Sequence, residues 1–381
     1  MKRVWEKLEI RGLNLRNRFV RSATWEGLAD QEGRATDRLA DLLAVLARNQ
    51  VGLVVTGFAY VKQDGKVMPY QTGVHHDDMI EPFRRLTEAV HRDGGRVAVQ
   101  MVHGGVQARP ELAGIDVPYG PSALDLPGLK TKPREMTGRE ITEVVESFGL
   151  AARRAKTAGV DAVQLHAAHG YLLNQFLSPY FNRRGDRYGG GPANRARLLY
   201  ETYEAVRGEV GGDYPILIKI NAEDFLDDGL KLEDSLETAV NLVKMGLDAV
   251  EVSGGSFFSG ELNPSRRNIK PQENEAYFRR YSAAFKEKIK APVILVGGLR
   301  SPETIEAVLK GREADAVALS RPFIREPDLV SHWAHGDLAP AACLSCGGCF
   351  RSGLIGRGIS CAQLEKETKA AAGSDQADGR A

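Results

Sequence analysis

The chain has 381 residues, of which 43% are hydrophobic and 27% are charged, a balance typical of globular proteins that bury a sizeable core. Its 51 basic and 50 acidic side chains leave a net charge of +1, which gives no electrostatic reason to expect nucleic acid or a membrane surface as partner. The N-terminal segment is charged throughout, and no apolar run approaches the roughly 20 residues of a membrane span, so the sequence predicts a cytoplasmic protein without signal peptide or membrane span.

Eight short runs rich in Val, Ile and Leu recur along the chain, with helical patterns between them. Most are continuous rather than alternating, as expected for parallel strands that are buried on both faces. In chain order the predicted strands are residues 18–23, 53–56, 96–101, 162–165, 216–220, 249–252, 293–296 and 316–319. This alternation predicts an α/β fold with a single (β/α)8 TIM barrel, although counting strands leaves a doubly wound sheet open.

Two helix starts and one long connection stand out between these strands. Thr137 and Glu140 have capping-box spacing ahead of an apolar helical face. Ser301 followed by Pro302 predicts a second helix, with serine as N-cap and proline in the first turn. Residues 107–132, rich in Pro and Gly, are too long for an ordinary loop after a strand, which predicts an active-site excursion at the top of the barrel.

Three polar ring side chains directly follow the fourth predicted strand. His166, His169 and Tyr171 lie within six positions, where residues leaving a barrel strand point into a shared pocket. Two imidazoles and a phenol there predict hydrogen-bond donors for a bound ligand. The alternative is structural, with one histidine capping a helix and the tyrosine packing at the edge of the core.

Further polar groups stand at the ends of other predicted strands. Gln100 ends the third and predicts an amide that bonds a heterocycle, the alternative being a bond to loop backbone. Lys219 lies in an apolar frame where an unpaired charge is costly, which predicts contact with an anionic cofactor ring or a Schiff base. Gly297–Gly298 and Ser320–Arg321 follow the seventh and eighth strands, where barrels bind phosphate.

With these motifs the sequence resembles the old yellow enzyme family of FMN-dependent oxidoreductases over roughly residues 1–327. The resemblance rests on Leu13-x-Leu15-x-Asn17-Arg18, Gln100 with His103-Gly104-Gly105, HAAHGYLLNQFLSP from His166, and NRRGDRYGGGPAN at residues 182–194. It implies an FMN-binding barrel over residues 1–335 with ene-reductase type activity. Flavin reduced by NAD(P)H or by an external electron-carrier protein would pass hydride to the activated C=C of a small, enone-like substrate. A homo-oligomer is also implied.

The resemblance implies a role for each candidate residue. His166 and His169 would bind a substrate carbonyl, and Tyr171 would protonate the α-carbon. Two positions differ from the common family pattern: Lys219 replaces the usual Arg, and Trp25 replaces Thr or Cys beside the flavin C4 carbonyl. We expect Trp25 to shift the flavin potential and narrow the pocket. The implied cofactor-binding residues are Ala23, Thr24, Trp25, Gln100, Lys219, Gly298, Leu299, Ser320 and Arg321.

All four cysteines of the chain lie close together in sequence, at Cys343, Cys346, Cys349 and Cys361. Their spacing, C-x2-C-x2-C-x11-C, predicts a [4Fe–4S] cluster, with zinc or unliganded thiols as the alternatives. The pattern is similar to that of the larger family members trimethylamine dehydrogenase and dienoyl-CoA reductase. We therefore expect a cysteine-cluster extension over residues 336–369 and a disordered tail over residues 370–381.

Two other functions remain open from sequence. One is a Schiff-base aldolase or lyase that uses Lys219 without flavin, and a yellow protein would count against it. The other is a non-catalytic electron-transfer barrel in which residues 343–361 are the working part. Loss of alkene reduction on replacing His166 and His169, with flavin retained, would exclude that function.

Overall fold

In the computed structural model, which describes the backbone of residues 1–378 and the side chains of residues 1–370, eight parallel strands form a closed barrel with helices between them. The strands of the chain are β1 (Leu8–Ile10), β2 (Leu13–Leu15), β3 (Phe19–Arg21), β4 (Leu53–Val55), β5 (Ala59–Tyr60), β6 (Val97–Val102), β7 (Tyr119–Gly120), β8 (Arg134–Glu135), β9 (Ala162–Ala167), β10 (Ile216–Asn221), β11 (Ala249–Ser253), β12 (Val293–Val296) and β13 (Ala316–Leu319).

Helices lie between the barrel strands and follow the last of them, and the longer ones pack against the outside of the barrel. They are α1 (Asp37–Arg48), α2 (Ile80–Arg92), α3 (Pro110–Ala113), α4 (Gly138–Thr157), α5 (Leu172–Leu177), α6 (Pro192–Arg195), α7 (Arg197–Val210), α8 (Leu232–Met245), α9 (Arg279–Lys288), α10 (Pro302–Lys310), α11 (Arg321–Arg325), α12 (Leu329–Ala334) and α13 (Ala362–Asp378). Short 3-10 turns lie between several of them.

The strand order confirms the predicted barrel. The strands β3, β4, β6 and β9 to β13 each pair with their neighbours in chain order, and β13 pairs with β3 to close the ring. Each of the eight predicted strands overlaps one of these barrel strands. A doubly wound sheet has two open edges, so the closure between β13 and β3 excludes it. The short β5 pairs with β6 on the same edge as β4 and so continues β4 towards the C-terminal end of the barrel.

The bottom of the barrel is closed by apolar side chains. The antiparallel hairpin of β1 and β2 places Ile10, Leu13 and Leu15 against the buried interior of the strands. That interior is filled with small and branched residues, including Val20, Leu53, Ala98, Ala162, Leu217, Ala249, Ile294 and Ala316. Because one end is packed with apolar groups, the polar inward-facing residues lie at the other end, where the strands terminate.

The two predicted helix starts have different outcomes. At the start of α4 the Thr137 side chain accepts a hydrogen bond from the backbone of Glu140, whose carboxylate accepts one from the backbone of Thr137, which confirms the capping box. The helix α10 begins at Pro302 as predicted, but the Ser301 side chain makes no capping bond. Ser301 occupies the N-cap position as predicted, but its hydroxyl donates to Glu275 rather than accepting from the helix N-terminus. The carboxylate of Glu275 is a strong acceptor for this hydroxyl, and it also accepts from the backbone N–H of Ser301 at 3.0 Å.

The cysteine-containing extension packs on the barrel. Ile359 donates its backbone N–H to the carbonyl of Glu26 (2.8 Å), and the side chain of Arg38 donates to the carbonyl of Arg357 (2.9 Å). The tail predicted to be disordered, residues 370–381, overlaps α13 as far as Asp378, and residues 379–381 lie outside the described part. Among the described helices, none combines the length and apolar character needed to cross a membrane.

Candidate active site

A cavity of about 880 Å³ opens at the C-terminal ends of the barrel strands. A volume in this range is typical of small-molecule and cofactor sites. The cavity is lined by every residue that the sequence predicted for catalysis or cofactor binding: Ala23, Thr24, Trp25, Gln100, His166, His169, Tyr171, Lys219, Gly298, Leu299, Ser320 and Arg321. The structure thus brings together side chains from six barrel strands and the loops that follow them.

The two imidazoles form a compact pair at the end of β9. Their ring centroids lie 5.0 Å apart, and the Nε2 of His169 is 2.8 Å from the Ser253 hydroxyl. His169 has a φ of +64°, an uncommon conformation that is held by its backbone N–H donating to the side chain of Asn221. The Nδ1 of His166 is buried and has no partner in the described part of the chain.

Burial determines the protonation state of this pair. It holds the pKa of His166 and of His169 well below the usual value for histidine, and the charge of Lys219 acts in the same direction on both. A proton on His169 would lower the pKa of His166 further. Both rings are therefore neutral at pH 7, each with one N–H that can donate to a ligand oxygen.

Tyr171 completes a small aromatic group above the cavity floor. Its ring lies 4.9 Å from that of His166 and 5.4 Å from that of Phe58, measured between centroids. Burial raises the pKa of Tyr171 to about 12, partly offset by the charge of Arg109. The phenol therefore keeps its proton at neutral pH and is available as a proton donor.

The cavity floor holds a buried ion pair that the sequence analysis missed. Lys219 on β10 lies opposite His166 on one side and Glu251 of β11 on the other. Its Nζ is 3.0 Å from the Glu251 carboxylate and donates to the Ser22 hydroxyl at 2.8 Å. Lys219 and Glu251 are 3% and 0% exposed. The sequence signal was available, because Glu251 is a lone charge in the strand AVEVS just as Lys219 is in ILIKI.

Gln100 joins the same network through a second glutamine. Its Nε2 donates to the Oε1 of Gln164 at 2.8 Å, and the Nε2 of Gln164 donates to the Glu251 carboxylate at 2.9 Å. Register explains the contact, since Gln100 on β6 lies directly opposite Gln164 on β9. The amide of Gln100 therefore lines the cavity, and its hydrogen bond to Gln164 holds it in place.

The loops after β12 and β13 form a cradle suited to a phosphate group. Gly298 has a φ of +75°, and a Cβ added there would lie 2.8 Å from the Tyr277 ring, so a side chain would crowd this wall. Arg321 at the start of α11 is largely buried, and its Nη1 has no partner among the described residues. The hydroxyls of Thr24 and Ser320 are 2.6 Å apart beside it. A buried, unpaired guanidinium N–H next to glycine backbone fits a phosphate ligand.

Trp25 lies in the cavity wall, but its donor does not face the cavity. The indole N–H donates to the backbone carbonyl of Pro69 at 3.1 Å. Its ring packs beside Phe350 of the extension, with centroids 6.3 Å apart, and a Cβ added at Gly353 would lie 2.9 Å from it. From the sequence, Trp25 is expected to shift the flavin potential and to narrow the pocket. The structure shows that the indole N–H is already used and that the indole instead joins the cavity wall to the extension.

The long excursion between β6 and α4 lines the mouth of the cavity, as predicted. Its residues Gln107, Arg109 and 128–131 face the cavity. The side chain of Gln107 donates to the backbone carbonyls of His169 (3.1 Å) and Gly170 (2.6 Å). These bonds fix the loop that carries the second imidazole.

The cysteines lie beside this cavity rather than inside it. Cys343 and Cys349 are buried, Cys346 is exposed, and Cys361 is intermediate. Burial raises the pKa of the Cys349 thiol to about 11, and the other three cysteines contribute in the same direction. Over residues 1–370, no group of three or more His, Cys, Asp or Glu side chains is arranged to hold a metal ion. The predicted cluster is therefore not preassembled in this arrangement of the thiols.

Comparison with known proteins agrees with this architecture. The chain is 36% identical to an NADPH dehydrogenase of Bacillus velezensis over 74% of this chain and 79% of the relative. It is 36% identical to an NADH oxidase of Thermoanaerobacter brockii over 84% of this chain, but spans only 48% of that longer protein. Among solved structures, a 2-naphthoyl-CoA reductase complex superposes with a TM-score of 0.87 at 27% identity, covering 94% of this chain and 56% of that one. An old yellow enzyme homologue from Zymomonas mobilis superposes with a TM-score of 0.76 at 25% identity, over 88% and 94%.

A family model covers the barrel almost completely. The model of the NADH:flavin oxidoreductase / NADH oxidase family matches residues 4–338, ending before the first cysteine at Cys343. This span includes all barrel strands and all twelve cavity residues that the sequence predicted. With its closed barrel, phosphate cradle and paired imidazoles, the chain belongs to the NADH:flavin oxidoreductase / NADH oxidase family.

Proposed function

We propose that this protein is an FMN-dependent reductase of the old yellow enzyme type. Electrons from NAD(P)H would reduce the flavin, and hydride would pass to the activated C=C of a small electron-poor substrate. The family match and the names of the relatives, NADPH dehydrogenase and NADH oxidase, support the flavin and the nicotinamide donor. The reductase activity is inferred for this chain, since it spans only about half the length of some of its relatives.

One observation supports the proposal above all others. Two neutral imidazoles and a protonated phenol surround the upper part of the same cavity whose floor carries a glutamine amide and an ammonium group. The floor groups match the polar edge of a flavin ring, and the cradle with Arg321 matches its ribityl phosphate. A planar cofactor between the floor and the imidazoles would leave its upper face open to substrate.

Each protein group then has a defined task. Bound FMN supplies hydride from its N5 atom. The N–H groups of His166 and His169 would donate to the substrate carbonyl oxygen and polarise the conjugated double bond. Negative charge that develops on this oxygen is stabilised by two donors that are already oriented before substrate binds. Tyr171, protonated at neutral pH, would deliver a proton to the α-carbon from the side opposite the flavin.

Replacement of the imidazole pair tests this assignment. In the double variant His166→Ala and His169→Ala, we expect at least a hundredfold loss of kcat/KM for 2-cyclohexenone, since two oxyanion donors are lost. Flavin content should stay at the wild-type level, because neither residue is proposed to hold the cofactor. A phenol that mimics the enolate should bind more weakly to this variant. Full activity together with unchanged phenol affinity would remove both residues from the substrate site.

The Schiff-base alternative is weaker on structural grounds. A lysine that attacks a carbonyl needs its nitrogen free to approach the substrate, whereas the Nζ of Lys219 lies 3.0 Å from the Glu251 carboxylate and donates to the Ser22 hydroxyl at 2.8 Å. Borohydride treatment with substrate would trap a covalent adduct on Lys219 if the alternative were correct. We expect no adduct.

We also propose that the four cysteines bind a [4Fe–4S] cluster after rearrangement of the extension. The spacing of Cys343, Cys346, Cys349 and Cys361 supports this. Iron and acid-labile sulfide of about four each per chain, in protein purified without oxygen, is the expected result. Zinc in place of iron, or no metal, would refute the iron–sulfur assignment. A homo-oligomer, an external electron carrier and a cytoplasmic location remain predictions from sequence.

A further inference from the structure

Glu251 is a buried carboxylate that neither the sequence motifs nor the proposed reaction uses. It is 0% exposed, lies on β11 and is not among the residues that line the cavity. Its Oε1 accepts hydrogen bonds from the Ser22 hydroxyl (2.7 Å) and lies 3.0 Å from the Lys219 ammonium. Its Oε2 accepts from the amide of Gln164 at 2.9 Å. A fully buried carboxylate is retained only where its partners compensate for the loss of water.

The first consequence concerns charge. Lys219 lines the cavity, and without Glu251 it would place an unbalanced positive charge next to the ligand. The pair carries no net charge, so a ligand on the floor experiences a dipole with its positive end towards the cavity. This arrangement stabilises an anionic ring less than an isolated lysine would.

The second consequence concerns the orientation of Gln100. A carboxylate only accepts hydrogen bonds, so Gln164 must direct its NH₂ group to Glu251. The carbonyl of Gln164 then faces Gln100, which must direct its own NH₂ group to it. The Oε1 of Gln100 is thereby left to face a ligand. A glutamine amide alone has two orientations of similar energy. The Glu251 carboxylate, acting through the hydrogen bonds of Gln164, selects one of them for Gln100.

We propose that Glu251 is a positioning residue of the flavin site with two effects. It neutralises Lys219, and through Gln164 it turns the acceptor oxygen of Gln100 towards the pyrimidine N3–H of bound FMN. The inference rests on the proposed function, because it concerns the same cofactor. Glu251 itself does not touch the cofactor. It sets the charge balance below the ring, and this balance determines how readily the ring takes up negative charge.

Sulfite binding measures the charge effect without any turnover. Sulfite adds to flavin N5 and leaves negative charge on the pyrimidine side, so its affinity increases with positive charge nearby. In Glu251→Gln we expect sulfite to bind about tenfold more tightly or better, because Lys219 loses its counter-charge. In Lys219→Met we expect weaker binding than in wild type. The double variant should return towards the wild-type affinity, since the two opposite charges are removed together.

A matched control uses another buried ion pair of this chain. Glu26 pairs with Arg21 at 3.1 Å, and both side chains are buried outside the cavity lining. Glu26→Gln should leave the sulfite affinity within twofold of wild type. A sulfite affinity within twofold of wild type in Glu251→Gln would contradict the charge effect. If Glu251→Gln does not fold, Lys219→Met is compared with the double variant Lys219→Met and Glu251→Gln. Equal sulfite affinities in these two proteins would also contradict the charge effect.

The orientation effect has its own test. Gln164→Met breaks the link to Gln100 but leaves the Lys219–Glu251 pair intact. We expect FMN to dissociate about fivefold more readily, the equivalent of one ordinary hydrogen bond, with sulfite affinity within twofold of wild type. An unchanged dissociation constant for FMN would overturn this effect. Wild-type protein that binds no flavin would instead refute the proposed function, so the two failures are distinguishable.

Discussion

At the scale of single residues, burial decides what the imidazoles can do. Ring nitrogens of His166 and His169 lie in a cavity wall with the Lys219 ammonium nearby, and both effects disfavour a second positive charge. A neutral imidazole still donates one hydrogen bond, so polarisation of a carbonyl does not require a charged ring. The pair is therefore suited to stabilise developing negative charge at any pH near neutrality.

We expect the imidazole resonances of His166 and His169 to remain those of neutral rings down to about pH 6 in NMR spectra of histidine-labelled protein. Single variants at each position provide the assignments. Because both pKa values are lower in the folded protein than in the unfolded chain, the unfolded chain binds more protons below about pH 6.5. The contribution of the pair to stability is present above that pH and is lost as the pH falls further. A midpoint near 6.5 for either ring would contradict the buried arrangement.

Trp25 provides a second test at this scale. Its N–H donates to Pro69 rather than to the cavity, so Trp25→Phe removes a structural hydrogen bond and little else. We expect a loss of about 1 kcal/mol in the free energy of unfolding by urea, and a flavin potential equal to that of wild type. A clear shift of the potential in spectroelectrochemical titration would mean that the indole N–H faces the flavin after all.

At the scale of elements, apolar runs were a reliable guide to the barrel, and polar neighbours at strand ends were a reliable guide to the cavity. All eight barrel strands and most of the predicted cavity residues were found in this way, whereas Ala23, Trp25 and Leu299 were implied by the family resemblance. The hairpin of β1 and β2 was missed, although Leu8–Ile10 and Leu13–Leu15 alternate around a two-residue turn. Arg11 and Gly12 both have positive φ, as the tight turn requires, and arginine is an unusual residue there.

Glu251 and Gln164 were missed for a different reason. Each is polar within an apolar strand, but their partners are distant in sequence, and only strand register places Glu251 opposite Lys219. Register cannot be read from a single sequence, because it depends on how neighbouring strands tilt in the closed barrel. The side-chain bond of Ser301 was missed likewise, since its partner, Glu275, comes from another loop.

The capping box of α4 gives a pH-dependent prediction at this scale. The side chains of Arg134 and Thr137 hold the pKa of Glu140 at about 2, below its ordinary value near 4.5, with the Arg134 hydrogen bond as the largest cause. The stabilisation by this carboxylate is therefore present above about pH 4.5 and is lost as the pH falls towards 2. We expect Glu140→Gln to lower the melting temperature at pH 7 and to lower it less at pH 4 and below. A constant difference at every pH would show that the charge of Glu140 is irrelevant.

At the scale of the whole molecule, the extension and the barrel share one wall. Phe350 lines the cavity, packs beside Trp25 and follows Cys349 directly in sequence. The guanidinium of Arg300, buried in the same wall, donates to Ser345 between the first two cysteines. Rearrangement of the thiols around a metal would therefore move side chains that line the cavity. The sequence predicted an extension after the barrel, but not that one of its side chains would reach the site.

We expect replacement of all four cysteines by serine to abolish bound iron while FMN is retained, because the phosphate cradle and floor belong to the barrel. Metal analysis and the flavin spectrum of the same preparation measure the two effects separately. Loss of FMN together with iron, in protein that keeps its circular-dichroism spectrum, would mean that the extension is needed to complete the cofactor cavity.

The central claim, a flavin-dependent reductase, is tested most directly by one spectrum. Protein purified without oxygen is examined in the visible range and then titrated with NADH or NADPH. We predict resolved flavin bands that bleach as the nicotinamide is added. A colourless protein that takes up no added FMN would contradict the account and leave the cavity, with Lys219 in its floor, to a different chemistry.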